Sequence, residues 1–385
     1  MPLAEFIYSD AFQGYQFSPD HPFNPHRLLV TKDLIDTVGL LSPDMIRPPR
    51  PATVEDLSRA HAGYYIDLVA RISQTGVATH GIERLGLGTE DNPVFLGMHD
   101  AAGLIVGGSL TAAEAIVGGR VRHAANLAGG LHHAGHGYAS GFCIYNDLVV
   151  AIRWIREMTG WRVLYFDTDA HHGDGVQEAF YQDPNVLTVS YHESGQYLFP
   201  GTGAITELGD GPGYGYSLNV PLMPSTDDDS WLETIDLLMP EVMDRFRPDI
   251  IVSQHGCDGH YWDALADLAA TTRFYAEVPR RVHAWAEQYC QGRWLATGGG
   301  GYQTLKVVPR AWTLLWAEMV HQPLPADARV PESWLTRWQP PGMGPLPDRF
   351  WDSPKDFHPI LDRERIHSTN RATVMALKER IPWLL

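Results

Sequence analysis

The sequence has few cysteines and no long apolar run, and each absence excludes a class of protein. Its 385 residues include three cysteines, Cys143, Cys257 and Cys290, and none belongs to a Cys-x-x-Cys pair. A small odd number argues against a disulfide framework and for a reducing compartment. No uninterrupted apolar run reaches membrane-spanning length, and the first residues do not join a basic segment to an apolar one. We therefore expect a cytoplasmic protein without a membrane partner.

Positive charge is also scarce. Lysine and arginine total 29 against 46 acidic residues, which gives a formal net charge of −17. Such a balance repels nucleic acid and anionic membranes and attracts cationic molecules. Apolar residues make up 44% and charged residues 19%, as in ordinary globular proteins. We expect a globular protein with no nucleic-acid partner, and the composition leaves its oligomeric state open.

Short apolar runs alternate with segments of helical period along most of the chain. Strands separated by helices build a mostly parallel sheet, whose ligands gather outside the carboxyl ends of the strands. The sequence therefore predicts an α/β fold with helices on both faces of the sheet and an active site at the carboxyl ends of the strands. The predicted strands are residues 121–127, 163–166, 186–191, 250–253 and 294–297, and the predicted helices include residues 146–158, 231–246 and 272–288.

The last part of the chain differs in composition. Residues 323–359 are rich in proline and tryptophan and lack a helical period, whereas residues 363–380 show one. Candidate site residues extend from Asp91 to Tyr302 and leave no clean linker between them. We predict a single domain over residues 1–385, with a C-terminal extension from about residue 323 to residue 385 that wraps it.

The stretch from Asp167 to Gly175 is the most informative in the chain. It follows an apolar run, so its three carboxylates and two imidazoles crowd the end of a buried strand. Asp169 and His171 are two residues apart and leave the same face of extended backbone. Carboxylate and imidazole together suit zinc better than magnesium or calcium. The alternative is a turn-rich loop with one hydrogen-bonded histidine.

Two other polar loops could complete this site. The loop after residues 250–253 holds Asp258, whose carboxylate would give three protein ligands and an open position for water, as in catalytic zinc sites. Its neighbour Cys257 is the rival ligand, and we predict that it is a small buried apolar residue instead. The pair His132-His133 follows two glycines, where one imidazole could act as a base and the other as its electrostatic support.

The fourth loop, from Gly298 to Tyr302, contains four consecutive glycines before the tyrosine. Such a run suits backbone that must turn sharply or approach a ligand closely, and the tyrosine hydroxyl could stabilise an oxyanion. The loop has no Gly-Lys-Ser/Thr ending, which argues against a phosphate loop. Together the four loops predict metal-assisted hydrolysis of a carbonyl compound.

These motifs make the sequence resemble a known family. The chain is similar to the zinc-dependent histone deacetylases of class I type, and within them to the bacterial acetoin utilization deacetylases. The resemblance implies an arginase/deacetylase-like α/β fold. Five motifs match in order: His132-His133-Ala134, Ala139 to Cys143, Asp167 to Gly175, Phe199 to Gly203, and Gly298 to Tyr302.

The resemblance implies a role for each polar residue of the site. It implies that His133 is the general base and acid, with His132 beside it, and that Tyr302 stabilises the transition state. Asp167 would orient His132 and Asp174 would orient His133, a function that the tautomers of imidazole require. Zinc is the implied cofactor, and its ligands would be Asp169, His171 and Asp258.

The same resemblance implies a narrow substrate channel. Phe142 and Phe199 would form two aromatic walls that clasp an apolar acyl-lysine stem. Gly141 and Leu265 would complete the substrate-binding residues of the channel. Asp91 falls where the family has a rim aspartate that grips the substrate backbone, although its segment could also be a plain turn.

Potassium is the second cofactor that the resemblance implies. Backbone carbonyls would bind most of it, so side-chain identity says little about these sites. The residues implied for a first ion near the zinc are Asp167, Asp169, His171, Ser190 and Tyr191. The residues implied for a second ion are Phe180, Asp183, Val186 and Tyr216.

The resulting prediction is a zinc-dependent hydrolase that removes acetyl groups from lysine side chains of cytoplasmic proteins. Residues 135–138 lack the acidic and lysine-rich pattern of the eukaryotic nuclear enzymes, so we do not expect a histone substrate. An acetylpolyamine or another small acetyl-amide is the alternative substrate, because an acidic cleft suits a cationic molecule. Two further functions that the motifs leave open are those of a binuclear manganese ureohydrolase and of a non-catalytic acetyl-lysine reader.

Overall fold

One sheet of eight strands organises the computed structural model, which describes residues 4–384. The strands are β1 (Ala4–Ile7), β2 (Ile46–Arg47), β3 (His123–Asn126), β4 (Val163–Asp167), β5 (Val186–Glu193), β6 (Ser217–Leu222), β7 (Ile250–Gln254) and β8 (Trp294–Thr297). Their order across the sheet is β2-β1-β3-β8-β7-β4-β5-β6, and every neighbouring pair is parallel. The five predicted strands are present, and the sequence missed β1, β2 and β6.

Within residues 4–384, eleven α-helices connect the strands and pack on both faces of the sheet. The predicted α/β fold is therefore confirmed. The helices are α1 (His26–Thr37), α2 (Val54–Ser58), α3 (Gly63–Ser73), α4 (Met98–Val117), α5 (Asp147–Thr159), α6 (Asp174–Phe180), α7 (Asp228–Phe246), α8 (Thr272–Tyr289), α9 (Val308–Met319), α10 (Glu332–Trp338) and α11 (Arg363–Lys378).

The central strands are apolar because helices cover both faces of the sheet. All five residues of β4 and all five of β7 are buried, as expected for strands between two helical layers. Polar side chains appear at their last positions, where Asp167 of β4 lies beside Gln254 of β7 and Ser190 of β5. The carboxyl end of the sheet is therefore where the polar site begins.

Helix α5 starts at a capping residue that also contacts the site. The side chain of Asn146 accepts a hydrogen bond from the backbone N–H of Val149 at 3.0 Å, which satisfies one of the free donors of the first turn. Its amide group donates to the backbone carbonyls of His132 and Ala134, at 3.2 and 3.0 Å. The same residue thus begins the helix and holds the loop that follows β3.

Helix α4 is the one described helix whose length and composition would allow it to span a membrane. However, 67% of its most apolar 18-residue window is buried inside the fold. It packs against α5, β3 and β1, which is how a core helix packs.

Residues from 323 onwards pack against several earlier elements. Helix α10, which the sequence did not predict, buries Trp334, whose indole N–H donates to the carbonyl of Val30 in α1 at 3.2 Å. Helix α11 packs on α7 and β6, and its Asn370 donates to Thr226 and Ser230 at 2.8 and 3.0 Å. These contacts agree with an extension that wraps the domain, and the single-domain organisation stays a prediction.

Candidate active site

Four neighbouring strands, β3, β8, β7 and β4, carry the loops of the candidate site at their carboxyl ends. The loops are bonded to one another. Cys257, after β7, donates its backbone N–H to the carbonyl of Gly300, after β8, at 2.8 Å. Ala170, after β4, donates its backbone N–H to the carboxylate of Asp258, after β7, at 2.9 Å. The polar loops singled out in the sequence are therefore parts of one site.

Asp169, His171 and Asp258 form a buried group that suits a metal ion. Their ligand atoms all lie within 4.8 Å of one another. Nδ1 of His171 is 2.8 Å from an oxygen of Asp258 and 3.2 Å from an oxygen of Asp169. Burial, and then the charge of Asp169, raise the pKa of Asp258 to about 7. The raised pKa indicates that too little positive charge lies near the two carboxylates. A divalent cation would supply that charge, so the three side chains fit one.

Neutral donors orient the two carboxylates of this group. One oxygen of Asp169 accepts hydrogen bonds from the side chain of Gln254 and the backbone N–H of Gly300, both at 2.7 Å. A Cβ atom at position 300 would collide with the carboxylate of Asp258, so a glycine is what allows the loop to come this close. The other oxygen of Asp169, like one oxygen of Asp258, faces His171, where an ion would be held.

Cys257 lies next to a member of this group but outside it. Among the residues that the structure describes, the group at this end of the sheet contains two carboxylates, one imidazole and no thiol. Burial raises the pKa of the Cys257 thiol well above its usual range, so the thiol keeps its proton and is a poor metal ligand.

His132 and His133 each contact a carboxylate through Nδ1. The distance from His132 to Asp167 is 2.9 Å, and that from His133 to Asp174 is 2.7 Å. The Nε2 atoms of the two rings are 3.0 Å apart. The Nε2 atom of His132 also lies 3.9 Å from a carboxylate oxygen of Asp169. The structure therefore brings together each predicted pair of histidine and carboxylate, beside the metal group.

The two imidazoles have opposite pKa shifts. Burial favours the neutral form of His132, but the carboxylates of Asp167 and Asp169 outweigh burial and raise its pKa to about 9. Burial and the adjacent charge of His132 lower the pKa of His133 to about 4. At neutral pH, His133 is the neutral ring and therefore the one that can accept a proton.

Tyr302 lies between the metal group and the channel described below. Its backbone N–H donates to Asp263 at 2.8 Å, and its ring meets that of Phe142 edge-on, with centroids 5.9 Å apart. Burial, and then the charges of Asp258 and Asp169, raise the pKa of Tyr302 well above the usual value of a phenol. The hydroxyl therefore keeps its proton and can donate a hydrogen bond to an oxyanion.

A channel of about 230 Å³ opens onto these groups. Exposed Asp91 and Phe199 contribute to its outer part, whereas buried His133 and His171 are among its inner residues. A slim apolar stem that ends in a polar group fits such surroundings. The channel is lined by all five predicted substrate-binding residues and four others: Asp91, Gly141, Phe142, Phe199 and Leu265, with His133, His171, Leu198 and Tyr302.

Gly141 keeps this channel open. Its φ is +50°, a value that favours glycine, and a Cβ atom there would collide with the ring of His133 and come within 3.0 Å of the ring of Phe199. The rings of His133 and Phe199 meet edge-on with centroids 5.1 Å apart. A larger residue at position 141 would therefore displace both.

The residues predicted to bind potassium fall in two places, and the ions themselves stay predictions. The first set lies toward the carboxyl ends of the adjacent strands β4 and β5, beside the metal group: Asp167, Asp169, His171, Ser190 and Tyr191. The second set lies around the start of β5 and just before β6: Phe180, Asp183, Val186 and Tyr216.

Sequence reasoning missed residues that hold the site in place. Asp147, the first residue of α5, accepts the backbone N–H groups of Gly130 and Leu131 at 3.1 and 2.8 Å, and thereby fixes the loop that carries the histidine pair. Tyr165 donates its hydroxyl to Asp167 at 2.5 Å. In sequence, these residues look like an ordinary helix start and an ordinary strand residue, so only the polar contacts reveal them.

Known proteins match this chain over most of its length. Residues 21–319 match the histone deacetylase domain family. The acetoin utilization protein AcuC of Bacillus subtilis (strain 168) is 50% identical over 370 residues, which are 96% of this chain and 95% of that protein. The acetoin utilization protein AcuC of Staphylococcus xylosus is 40% identical over 365 residues, which are 95% of this chain and 94% of that protein.

Solved structures share the fold. A crystal structure of an HDAC homolog complexed with SAHA has a TM-score of 0.84 and 29% identity, covering 96% of this chain and 99% of that one. An HDAC homolog from Aquifex aeolicus has a TM-score of 0.82 and 28% identity, covering 97% and 99%. With its domain, its relatives and its fold in agreement, the chain belongs to the histone deacetylase family, as a deacetylase of the acetoin utilization type.

Proposed function

We propose that this chain is a zinc-dependent hydrolase that removes the acetyl group from lysine side chains of cytoplasmic proteins. The observation that carries the proposal is the channel whose lining includes His133, Tyr302 and His171 of the metal group. An acetylated lysine side chain is a slim apolar stem ending in an amide. Such a stem matches apolar walls at Phe142 and Phe199 with polar groups beyond them.

The residues take separate roles in this reaction. Zinc, when bound, supplies a Lewis acid for the amide carbonyl and for a water molecule. His133, neutral and oriented by Asp174, accepts the proton of the attacking water and returns it to the leaving amine. Tyr302 keeps its proton and donates to the oxygen on which negative charge develops. The residues that would hold zinc are Asp169, His171 and Asp258.

A second substrate class is an acetylated polyamine or another small acetyl-amide. The observation that favours it is the exposed carboxylate of Asp91, which lines the channel of a chain with a net charge of −17. A substrate with a cationic tail would pair with that carboxylate.

A direct comparison of substrates tests both proposals. The zinc-loaded protein would be assayed on an acetyl-lysine peptide and on acetylspermidine, and we expect the larger kcat/KM for the peptide. A larger value for acetylspermidine would assign the small amine as substrate. If neither compound is hydrolysed, the proposed deacetylase activity is wrong.

Removal of one metal ligand tests the role of zinc. Asp258→Ala should leave a folded protein that loses one bound zinc ion and almost all hydrolysis, because only Asp169 and His171 remain as ligands. Metal analysis and circular dichroism measure these properties. Cys257→Ala is the matched control, since it changes the adjacent side chain and should keep the zinc. Normal zinc content and turnover in Asp258→Ala would contradict the metal assignment.

A further inference from the structure

A second group of potential metal ligands lies at the opposite end of the sheet. His123 is the first residue of β3, His283 and Glu287 are one turn apart on α8, and His321 follows α9. Their ligand atoms all lie within 4.8 Å of one another. The loops of the candidate active site begin at the other end of β3. That strand rises about 3.3 Å per residue, so the two places are at least about 10 Å apart. The group therefore takes no part in the proposed hydrolysis.

Two of these imidazoles are held as metal-binding histidines usually are. Nδ1 of His123 lies 2.8 Å from the carbonyl of Met319, and Nδ1 of His283 lies 2.8 Å from a carboxylate oxygen of Glu318. Each Nδ1 must donate its hydrogen to such an acceptor, so the lone pair of the neutral ring is on Nε2. A carbonyl or carboxylate on the far nitrogen is what fixes the tautomer of a metal-bound histidine.

The Nε2 atoms of both rings are buried and unpaired. Neither has a hydrogen-bond partner within residues 4–384, and His123 is only 1% exposed. A buried acceptor without a partner is costly and calls for an explanation. Packing against Trp294, whose ring centroid is 5.5 Å from that of His123, explains the burial of the ring. This packing does not explain why the two unpaired Nε2 atoms lie near the carboxylate of Glu287.

The carboxylate of Glu287 stands at the spacing of ligands around a shared ion. One oxygen is 3.6 Å from Nε2 of His123 and 3.9 Å from Nε2 of His283, too far for hydrogen bonds. Ligands of a tetrahedral ion at about 2.0 Å stand about 3.3 Å apart. The other oxygen of Glu287 is 3.8 Å from a guanidinium nitrogen of Arg122. This exposed ion pair is weak, and it does not involve the oxygen that faces the histidines.

His321 brings a third imidazole to the group from the surface. Its ring lies parallel to that of His123, with centroids 5.4 Å apart, and edge-on to that of His283, with centroids 4.4 Å apart. Its side chain is exposed, as is that of Glu287, so an ion could enter from solvent. The group thus combines two held imidazoles, whose Nε2 atoms are buried, with two exposed ligands.

We propose that His123, His283, Glu287 and His321 form a second metal site, which binds a divalent transition metal of the zinc class. Three imidazoles and one carboxylate suit zinc, cobalt or nickel rather than magnesium or calcium. Four protein ligands leave no open position in a tetrahedral site, which is the arrangement of a structural ion. The ion would join β3, α8 and the end of α9, and its binding to the folded state alone would stabilise the chain.

Metal counting on the full chain tests this proposal. Metal-stripped protein would be dialysed against buffered zinc, and we expect two zinc ions per wild-type chain and one in Asp258→Ala. The double variant Glu287→Gln/His321→Asn should lose the other ion, and the combination of all three changes should bind none. Asparagine is chosen because position 321 has a φ of +57°, which asparagine tolerates.

Two further measurements separate a lost site from a damaged fold. In the Asp258→Ala background, zinc should raise the melting temperature, and Glu287→Gln/His321→Asn should abolish that rise while leaving the metal-free melting temperature unchanged. His80→Asn removes another exposed histidine and should keep both ions. The proposal is wrong if Asp258→Ala binds no zinc, or if Glu287→Gln/His321→Asn binds as much as wild type. Because different variants remove the two ions, failure of this site leaves the catalytic proposal standing, and the reverse also holds.

Discussion

Two buried clusters of charged side chains share one loop of this chain but differ in what they do. The loop after β7 carries Asp258 of the metal group at the candidate active site and, two residues later, His260 of a second cluster. That second cluster, here called the anchor cluster, consists of His260, Arg310 and Asp352. Asp352 accepts a hydrogen bond from Arg310 at 2.7 Å and lies 2.9 Å from Nε2 of His260, and all three side chains are at most 2% exposed. Burial of charge therefore does not by itself mark a catalytic site.

The difference lies in where the polar atoms point. Both oxygens of Asp352 face groups of the protein, including the backbone N–H of Thr272 at 2.8 Å. At the candidate active site, by contrast, His171 of the metal group lines an open channel together with His133 and Tyr302. A cluster that is closed on itself stabilises the fold, whereas one that converges on a cavity can act on a substrate.

Replacement of His133 should have the largest effect on turnover of the changes proposed for the two clusters. His133→Ala removes the proposed proton acceptor, so we expect turnover to fall by a factor of about 10² to 10⁴. Zinc content should not change, since His133 is not one of the three ligands. Steady-state kinetics and metal analysis check both points. His132→Ala should reduce turnover less, and the opposite ranking would show that the roles of the pair are exchanged.

Replacement of Asp352 should have the reverse effect. Asp352→Asn leaves the charge of Arg310 buried without its partner, so we expect a loss of about 3–5 kcal/mol in the free energy of unfolding. Turnover per folded molecule should stay normal. Urea denaturation and active-site titration measure the two quantities.

An exposed ion pair provides the control for Asp352→Asn. Asp348 and Arg329 are 2.6 Å apart, with side chains 61% and 62% exposed. Asp348→Asn should therefore cost less than about 1 kcal/mol. If the two substitutions destabilised the chain equally, the anchor cluster would have no special role.

Tyr302→Phe removes one hydroxyl and leaves the ring in the channel. We expect kcat to fall by a factor on the order of 10² or more with KM little changed, because only the donor to the oxyanion is lost. The variant should still bind an acetyl-lysine peptide, which calorimetry can measure. Loss of that binding with kcat preserved would instead make Tyr302 a wall of the channel.

The smallest expected effect is a difference in acid sensitivity. Burial alone would raise the pKa of Asp352, but the hydrogen bond to His260 and the charge of Arg310 lower it well below its usual range. Such a carboxyl contributes stability that is fully present above its unfolded pKa of about 3.9 and is lost as the pH falls below that value. Unfolding curves should show a smaller loss between about pH 6 and pH 3 in Asp352→Asn than in wild type. Equal losses would contradict this source of acid sensitivity.

The fold class and the family could be predicted because their signals are local. Asp169 and His171 stand two residues apart after an apolar run, and each run of this kind became a strand of the sheet. Helix α10 was not predicted, because its seven residues are too few to show a helical period within a segment rich in proline and tryptophan. Strand β6 escaped because Pro221 and polar residues interrupt its apolar pattern.

Contacts across the sheet between residues that belong to no motif could not be predicted from the sequence. Gln254 ends a strand like any polar residue, and its bond to Asp169 exists only because β7 and β4 are neighbours. His123, His283 and His321 are single histidines in a strand, a helix and a loop, far apart in the chain. Their convergence depends on the packing of α8 and α9 against the sheet, which no local motif encodes.

The pairing of β3 with β8 has a consequence for the binding of the proposed metal. Residues 123–126 pair with residues 294–297, so the loops that carry His133 and Tyr302 meet only when most of the chain has been synthesised. Non-local parallel pairings also form slowly, because a long loop must close before the contacts are gained. Asp169 and Asp258 likewise meet only through the pairing of β4 with β7. We therefore expect the proposed metal to bind folded chains rather than unfolded ones, because its three ligands are brought together only by these pairings.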